Sequence, residues 1–597
     1  MQTQNVAQKT KKRSTKKTTK QSTYLFRQGI KFIWKEKPFD QNVIHSISST
    51  HNLSLPIAHT LYSRGLTNSN DINAFLFSSF EQEVADPTLL KGGKTAIKRI
   101  IKAIEDQEKI LIFGDYDVDG VSSTALLLVC LAPLGAQINY HLPHRQKEGY
   151  GLSKEIVQKA ADHNYKLIIT VDNGICAHPA ADDARAAGMD LIITDHHRPH
   201  GTLPHAHAII NPNQAACRYP YKLLAGVGVT FKLMALLYEQ KGLQLPEKAY
   251  ELLTLGTIAD VVPLTGENRF WVRHGLGKIN KQRSYALSVL TQNSSLNKEK
   301  LNSLDIGFMI TPQINALGRL DDSREAVRFL VSNDTTHVDQ IGKTLKKMNE
   351  DRKRIEQSIY NQIEETIQSN HIDLDQESII MAAHKQWPAG VIGLVAGKLA
   401  HNHGRPTFLF HINDDGVAKG SCRSIPEFNV FDALQQCSDL LIQFGGHSFA
   451  AGLAINQEKI PELKQRLEHI VKKTVDPEAL KPSITLDAHL DLNETNNKLF
   501  SDMTNLEPFG NQNPQPTFLI KNVTLLKPPT LLKDKHLKCL LFANGIIKPT
   551  IFFNRPDLYQ IFATIADKPF DVVAHVMKNE WQGNVSIELQ GLDIALL

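Results

Sequence analysis

Ile110-Leu111-Ile112-Phe113-Gly114-Asp115-Tyr116-Asp117-Val118-Asp119-Gly120 is the stretch on which the fold turns. Four apolar residues in a row that stop at Gly-Asp read as a buried strand ending in a turn. The same arrangement returns twice. Leu167-Ile168-Ile169-Thr170-Val171 runs into Asp172-Asn173-Gly174, and Leu191-Ile192-Ile193-Thr194 runs into Asp195-His196-His197. Helical patterns over residues 123–131 and 154–163 fill the gaps. Apolar strands alternating with helices predict an α/β fold with a doubly wound parallel sheet.

Outward from this sheet the chain changes character several times. Residues 25–108 are mostly helical and polar in pattern, and are expected to pack on the first domain as an N-terminal extension. From Val338 to Gln368, Ile341, Leu345, Met348, Ile355, Ile359, Ile363 and Ile367 recur at helical steps, so one long connecting helix is predicted. Its other positions are crowded by Lys343, Lys346, Lys347, Arg352, Lys353 and Arg354. These read as a solvated face, or alternatively as a basic wall along a nucleic-acid groove. Strand patterns at 379–383 and 407–410, with a helix at 391–401 between them, predict a second α/β domain. Beyond Ile484, alternation in Val572-Ala574-Val576 and Val585-Ile587-Leu589, with Lys578-Asn579-Glu580 as the turn, predicts a small β domain of sandwich or barrel type. The expected division is a basic disordered tail (1–24), the extension plus catalytic domain (25–335), the connecting helix (336–372), the second α/β domain (373–472) and the β domain (473–597).

Composition narrows the class. The chain has 597 residues, 42% hydrophobic and 22% charged. These are ordinary globular proportions, with room for about four domains. No apolar run approaches the ~20 residues of a membrane span, so no membrane partner is expected. The net charge is +5, but the tail holds Lys9, Lys11, Lys12, Arg13, Lys16, Lys17 and Lys20 without an acid, so the body is near neutral. The six cysteines form no Cys-x-x-Cys pair. That argues against a zinc framework or a disulfide scaffold and for a reducing, cytoplasmic location.

The chemistry gathers at the strand ends. Asp115, Asp117 and Asp119 stand two apart just past the first strand. Asp172 ends the second strand, and Asp195, His196 and His197 end the third. In an open α/β sheet the carboxyl ends of neighbouring strands face one crevice, so these clusters are expected to meet. Asp260, inside Gly256-Thr257-Ile258-Ala259-Asp260-Val261-Val262, is costly to bury unless paired or bound to metal. Carboxylates with imidazole and no thiolate suit Mn²⁺ or Mg²⁺. The number of carboxylates fits two ions about 3.5–4 Å apart, an arrangement suited to phosphoester hydrolysis.

These motifs resemble the DHH phosphoesterases. The match runs through Phe113–Gly120, Val171-Asp172-Asn173-Gly174, Asp195-His196-His197 and Gly256-Thr257-Ile258-Ala259-Asp260. Gly445-Gly446-His447-Ser448-Phe449-Ala450-Ala451-Gly452 resembles the signature of the DHH-associated domain. Leu506-Glu507-Pro508-Phe509-Gly510-Asn511-Gln512-Asn513-Pro514 resembles the segment before the oligonucleotide-binding (OB) domain of the RecJ branch. The resemblance implies a single-strand-specific 5′→3′ exonuclease of DNA repair and recombination. Asp117 and Asp172 would hold one ion. Asp119, Asp172, His196 and Asp260 would hold the other, with His197 beside the scissile phosphate. Family members often carry His where Phe113 stands, and Phe113 cannot ligate, so the first ion would lean on Asp115 or water. They also often read Trp-His-Pro-Gly where this chain has Trp387-Pro388-Ala389-Gly390.

On the substrate side, the resemblance puts Arg319, Ser421 and Arg423 at a pocket for a 5′-terminal phosphate, with Arg145 and His447 as further contacts. Gly390-Val391-Ile392-Gly393 opens a helix, and helix N-termini attract phosphate. Lys533, Lys535 and Lys538 with Phe552, Phe553 and Trp581 are candidate strand-gripping residues. The implied partners are single-stranded DNA with a 5′ end and, by resemblance only, a single-strand-binding protein and a helicase. Gly93-Lys94-Thr95 lacks the first glycine of a phosphate-binding loop, and Gly226-Val227-Gly228 has Phe231 where a dinucleotide fingerprint needs glycine, so no nucleotide cofactor is expected. Relatives acting on short oligonucleotides or cyclic dinucleotides form the alternative, which the extra β domain disfavours.

Overall fold

Alternation along the strands sets the layers of the first domain. Ile110 and Ile112 enter one core, with the helices Val118–Leu131, Gly226–Gln240 and Glu247–Ala259. Leu111 and Phe113 enter the opposite core, with Lys154–Asp162 and His178–Ala186. This is the period-2 geometry of a strand covered on both faces. The computed structural model describes residues 24–597 except 145–147, 150, 200, 297, 321, 566–567 and 582–583. The tail expected over 1–24 thus lies outside the described residues but for Tyr24.

Five parallel strands run in the order Gln137–His141, Lys109–Phe113, Tyr165–Val171, Asp190–Thr194, Ala208–Ile210. Of these five, the first in the chain, Lys109–Phe113, lies between the second and the third. The direction of winding therefore reverses between Lys109–Phe113 and Tyr165–Val171, and a crevice opens at their carboxyl ends.

The long helix spans Thr335–Gln368 and is capped by Asp334, whose side chain accepts from Thr336 N and His337 N. Val338, Ile341 and Leu345 join the first domain's core, whereas Ile359 and Ile363 join Ile380, Val391 and Leu409 of the second α/β domain. One rod thus ties two cores together. Lys343, Lys346, Lys347, Lys353 and Arg354 are exposed along it. Arg352 departs from that row: it is buried and bonded to Asn349 and Glu356. The second domain carries a mixed sheet in the order Leu441–Gly446, Ala450–Asn456, Val417–Arg423, Thr407–Ile412, Ile380–His384, in which only the last two strands pair in parallel.

In the last domain Phe518–Leu525, Phe570–Trp581, Asn584–Leu596, Ile546–Phe552 and His536–Ala543 form a sheet that closes on itself. Closure comes from the pairs Thr524↔Phe542 and Leu525↔Leu541. A closed five-stranded barrel of this kind is the OB architecture.

Three expectations are corrected here. Residues 25–77 share their apolar core with the barrel rather than with the first domain, which they touch only at its rim, where Arg269 lies over Phe75 and Arg273 donates to Leu76 O. Leu25–Gln28 and Ile33–Glu36 are strands in one sheet with Ser483–Leu486, and Ile44, Ile57, Leu61 and Ile72 share a core with Leu499, Phe518 and Phe562. Polar composition hid this, because the helices Gln41–His51 and Ser69–Phe77 bury only Ile44 and Ile47, and Ile72 and Leu76. Lys578-Asn579-Glu580 is not a turn: it continues the strand, paired with Ile587, Ser586 and Val585. Phe552 is not a surface platform but fully buried in the barrel core.

Candidate active site

Each strand delivers its acid by a local device. Asp117 caps the helix Val118–Leu131, accepting from Asp119 N at 2.9 Å and Gly120 N at 3.1 Å. This is the ordinary N-cap role of aspartate. Gly120 has no room for a side chain, since a Cβ there would sit 2.5 Å from the Asp115 backbone. Asp172 ends its strand with φ +60°, a left-handed turn that swings its carboxylate into the crevice. Asp260 follows the last turn of Glu247–Ala259.

Asp119 is held from the far side. Gly226 N donates to its Oδ2 and Val227 N to its Oδ1, both at 2.7 Å. The positive end of the helix Gly226–Gln240 thus faces a carboxylate. The Gly226-Val227 step, which lacks a dinucleotide fingerprint, serves the acid cluster instead.

Three groups of ligand atoms each fall within 4.8 Å of one another: Asp115, Asp117 and Asp172; Asp119, His196 and Asp260; Asp172, His196 and His197. Asp172 belongs to two of them. His196 Nε2 lies 3.2 Å from Asp172 Oδ1 and 3.6 Å from Asp260 Oδ2. His196 Nε2 and Asp260 Oδ2 are buried without a hydrogen bond. Buried polar atoms left in that state are costly, and a cation between them would satisfy both. Phe113 is buried and stacked on His141, ring centroids 5.9 Å apart, so it offers no ligand. Asp115 is the acid that stands beside Asp117 and Asp172 in its place.

Electrostatics agree with a cation site. Burial, then Asp260, pushes Asp119 up to about 7. Burial, then Asp117, pushes Asp260 up to about 8. Burial and the neighbouring aspartates raise Asp172 well above the usual carboxylate range. Crowded acids in this state await positive charge.

The histidine pair divides. Asp195 Oδ1 accepts from His197 Nδ1 at 2.7 Å and from the backbone N–H of His196 and His197, while Oδ2 accepts from Ile175 N. Burial works to raise Asp195, but the His197 bond and charge outweigh it and hold it low. Burial also works against charged His197, yet Asp195 pushes it up to about 9. His196 is lowered by burial and by the His197 charge. Asn211 Nδ2 donates to His197 O at 2.9 Å and Asn213 Nδ2 to His196 O at 2.8 Å, fixing the loop. Neither asparagine carries a periodic or motif signal; only their place just past the last sheet strand could have pointed to them.

The second domain closes over this cluster. The His447 ring faces His197 at 6.5 Å and 11°. Arg319 Nη1 donates to Gly390 O at 2.9 Å, at the start of the helix Ala389–His403. A Cβ on Gly393 would meet Ser421 Oγ at 2.7 Å and Arg423 Nη2 at 3.3 Å. Arg319, Ser421 and Arg423 therefore converge on one helix N-terminus. Arg145 lies outside the described residues. A cavity of about 790 Å³ continues from Arg319 past Val261, Phe308, Lys353 and Gln515. On the barrel, Lys533, Lys535 and Lys538 are exposed, and Phe553 stands edge-on to His536 at 5.3 Å; the Trp581 side chain lies outside the described residues.

Comparison with known proteins fits this layout. Three family descriptions match: DHH family, N-terminal domain (109–257), DHHA1 domain (376–473) and RecJ OB domain (486–593). The single-stranded-DNA-specific exonuclease RecJ of Bacillus subtilis is 34% identical, covering 95% of this chain and 71% of its own. That of Escherichia coli is 32% identical, covering 84% and 89%. The chain belongs to the RecJ family. RecJ of Thermus thermophilus in complex with Mn²⁺ superimposes with a TM-score of 0.78 at 27% identity, over 94% of this chain and 79% of that one. Its Mg²⁺ complex gives 0.73 at 25%, over 94% and 78%. The α/β sheet, the DHH-associated domain and the OB barrel are thus the RecJ layout, and among the described residues no helix is long and apolar enough to cross a membrane.

Proposed function

We propose that this RecJ-family chain is a metal-dependent exonuclease that degrades single-stranded DNA 5′→3′ to mononucleotides in repair and recombination. The observation that carries this reading is the meeting of two sites across one cleft: the acid–imidazole cluster at the switch point, and the Arg319–Ser421–Arg423 corner at a helix N-terminus. The first suits a scissile phosphate and the second a terminal one.

When bound, two Mn²⁺ or Mg²⁺ ions supply Lewis-acid charge at the phosphodiester and acidify the attacking water. Asp115, Asp117 and Asp172 would hold one. Asp119, His196 and Asp260 would hold the other, with Asp172 shared. His197, kept protonated by Asp195, stands beside the scissile phosphate and balances its charge. Asp195 acts through His197 and the loop backbone. Arg319, Arg423 and Ser421 grip the 5′-terminal phosphate, Arg145 and His447 add contacts, and the barrel lysines hold the strand beyond.

We propose a cytoplasmic setting, which the buried free thiols Cys130, Cys422, Cys437 and Cys539 support. A single-strand-binding protein and a helicase are the partners we propose, since the enzyme needs exposed single strands. The deciding experiment is a Mn²⁺-dependent digest of single-stranded DNA labelled at either end. Immediate release of mononucleotide from the 5′ label, with gradual shortening of the 3′-labelled strand, is expected. Release first from the 3′ label would overturn the polarity.

A further inference from the structure

The segment just ahead of the barrel reaches into the metal-ligand loop. Asn511 Nδ2 donates to Val261 O at 2.7 Å, and Asn511 O accepts from Leu264 N at 2.8 Å. One residue thus brackets both ends of Val261–Leu264, the turn that begins immediately after Asp260. Val261 needs bracketing. Its φ is +60°, a left-handed conformation that a β-branched residue rarely adopts, and Val261 is 64% exposed, so apolar packing does little to hold it.

Asn511 is itself firmly placed. Gly510 packs so close to Leu264 that a Cβ would lie 2.6 Å from Leu264 Cδ1. Phe509 O accepts from Ser303 Oγ at 2.6 Å. Arg269, buried, donates to Asn505 O and Glu507 O at 2.9 and 3.0 Å. Asn513 Nδ2 closes the segment on itself through Leu506 O and Pro508 O, both at 2.8 Å. These bonds tie the segment 505–513 to the catalytic domain beside Asp260.

We propose that Asn511 is a positioning residue for Asp260, so that the segment leading into the OB barrel completes the Asp119–His196–Asp260 metal subsite. The proposal rests on Asp260 being a ligand. The barrel is then joined to catalysis as well as to DNA grip, because a shift of its leading segment moves a ligand.

The test is Mn²⁺ titration by calorimetry of the full chain without DNA, on wild type, Asn511→Ala, Asn511→Asp and Asp260→Asn. Changes in the partners that orient metal ligands typically cost about 10–100-fold in affinity. Asn511→Ala is expected to weaken one Mn²⁺ site about 10-fold and to lower kcat, with KM for single-stranded DNA little changed. Asn511→Asp keeps the shape and the main-chain bond but turns an acceptor toward Val261 O, and should weaken the site at least as much, which covers the case that the alanine variant fails to fold. Unchanged Mn²⁺ affinity in every Asn511 variant that folds, alongside weakened binding in Asp260→Asn, overturns the proposal alone. Unchanged affinity in Asp260→Asn overturns the ligand reading beneath it.

Discussion

Gly226 and Asp119 meet at 2.7 Å, backbone N–H to carboxylate, although 107 residues separate them. The contact joins a helix N-terminus to an acid buried among other acids. A Cβ on Gly226 would stand 2.7 Å from Asp172 Cβ and Oδ1. Gly226→Ala must therefore push Asp172 or retract the helix. A roughly 10–100-fold loss of activity is expected, together with a lowered unfolding midpoint from about 1–3 kcal/mol of overpacking. Mn²⁺-dependent digestion measured beside thermal unfolding checks it.

Metal binding should release protons near neutrality. Asp119 at about 7 and Asp260 at about 8 are partly protonated at pH 7 in the metal-free protein. Mn²⁺ affinity is expected to rise from pH 6 to pH 8.5. Calorimetry in buffers of different ionisation heat should report the released protons. The sign for stability is opposite. Both folded values lie above the ordinary carboxylate range, so the stability these groups lend the metal-free fold is lost as pH rises through about 7 to 8. The metal-free protein should melt lower at pH 9 than at pH 6, and Mn²⁺ should narrow that gap.

Asp195→Asn should change the pH profile as well as the rate. Asp195 is what holds His197 up at about 9. Without its charge the imidazolium is lost at lower pH, and the alkaline limb of the activity profile should move down toward 7. A kcat loss of about 100-fold or more at pH 8 is expected. An unmoved alkaline limb would mean that His197 does not act in its protonated form.

The proposed role of Arg319, Ser421 and Arg423 at the terminal phosphate predicts a difference between ends. Arg423→Ala and Arg319→Ala should each lower kcat/KM on 5′-phosphorylated strands by about 10–100-fold, the range of a charge-assisted hydrogen bond. On 5′-hydroxyl strands the loss should be much smaller. Equal losses on both substrates would place these arginines elsewhere on the DNA.

One buried ion pair tests the scaffold rather than the site. Lys232 Nζ lies 2.5 Å from Glu267 Oε1, with both side chains almost fully buried, and Tyr219 and Trp271 also donate to Glu267. Lys232→Met leaves that carboxylate without its cation. Breaking such a pair costs about 3–5 kcal/mol. Denaturant unfolding should show that loss, whereas Mn²⁺ affinity of the folded fraction should hold.

Much of the molecule was legible in one dimension. Apolar runs that end in Asp predict the parallel sheet, because a strand buried on both faces leaves an unbroken hydrophobic signal and its acids must sit at the end. The meeting of Asp115, Asp117, Asp119, Asp172 and His196 follows from that topology, whereas Asp260, at the end of the helix Glu247–Ala259, was legible only through the cost of burying an acid in an apolar stretch. The 34-residue helix is visible because it serves two cores and keeps its period throughout. What tertiary structure alone decided is whatever depends on contact between distant backbone and side chain. Gly226 and Asn511 are polar or small residues in loops and caps, and their partners are main-chain groups or acids elsewhere in the chain. The docking of residues 25–77 on the barrel is of the same kind. Periodicity records which face of an element is buried, but not against what, and a hydrogen bond to a carbonyl leaves no trace in the identity of the residue that carries it.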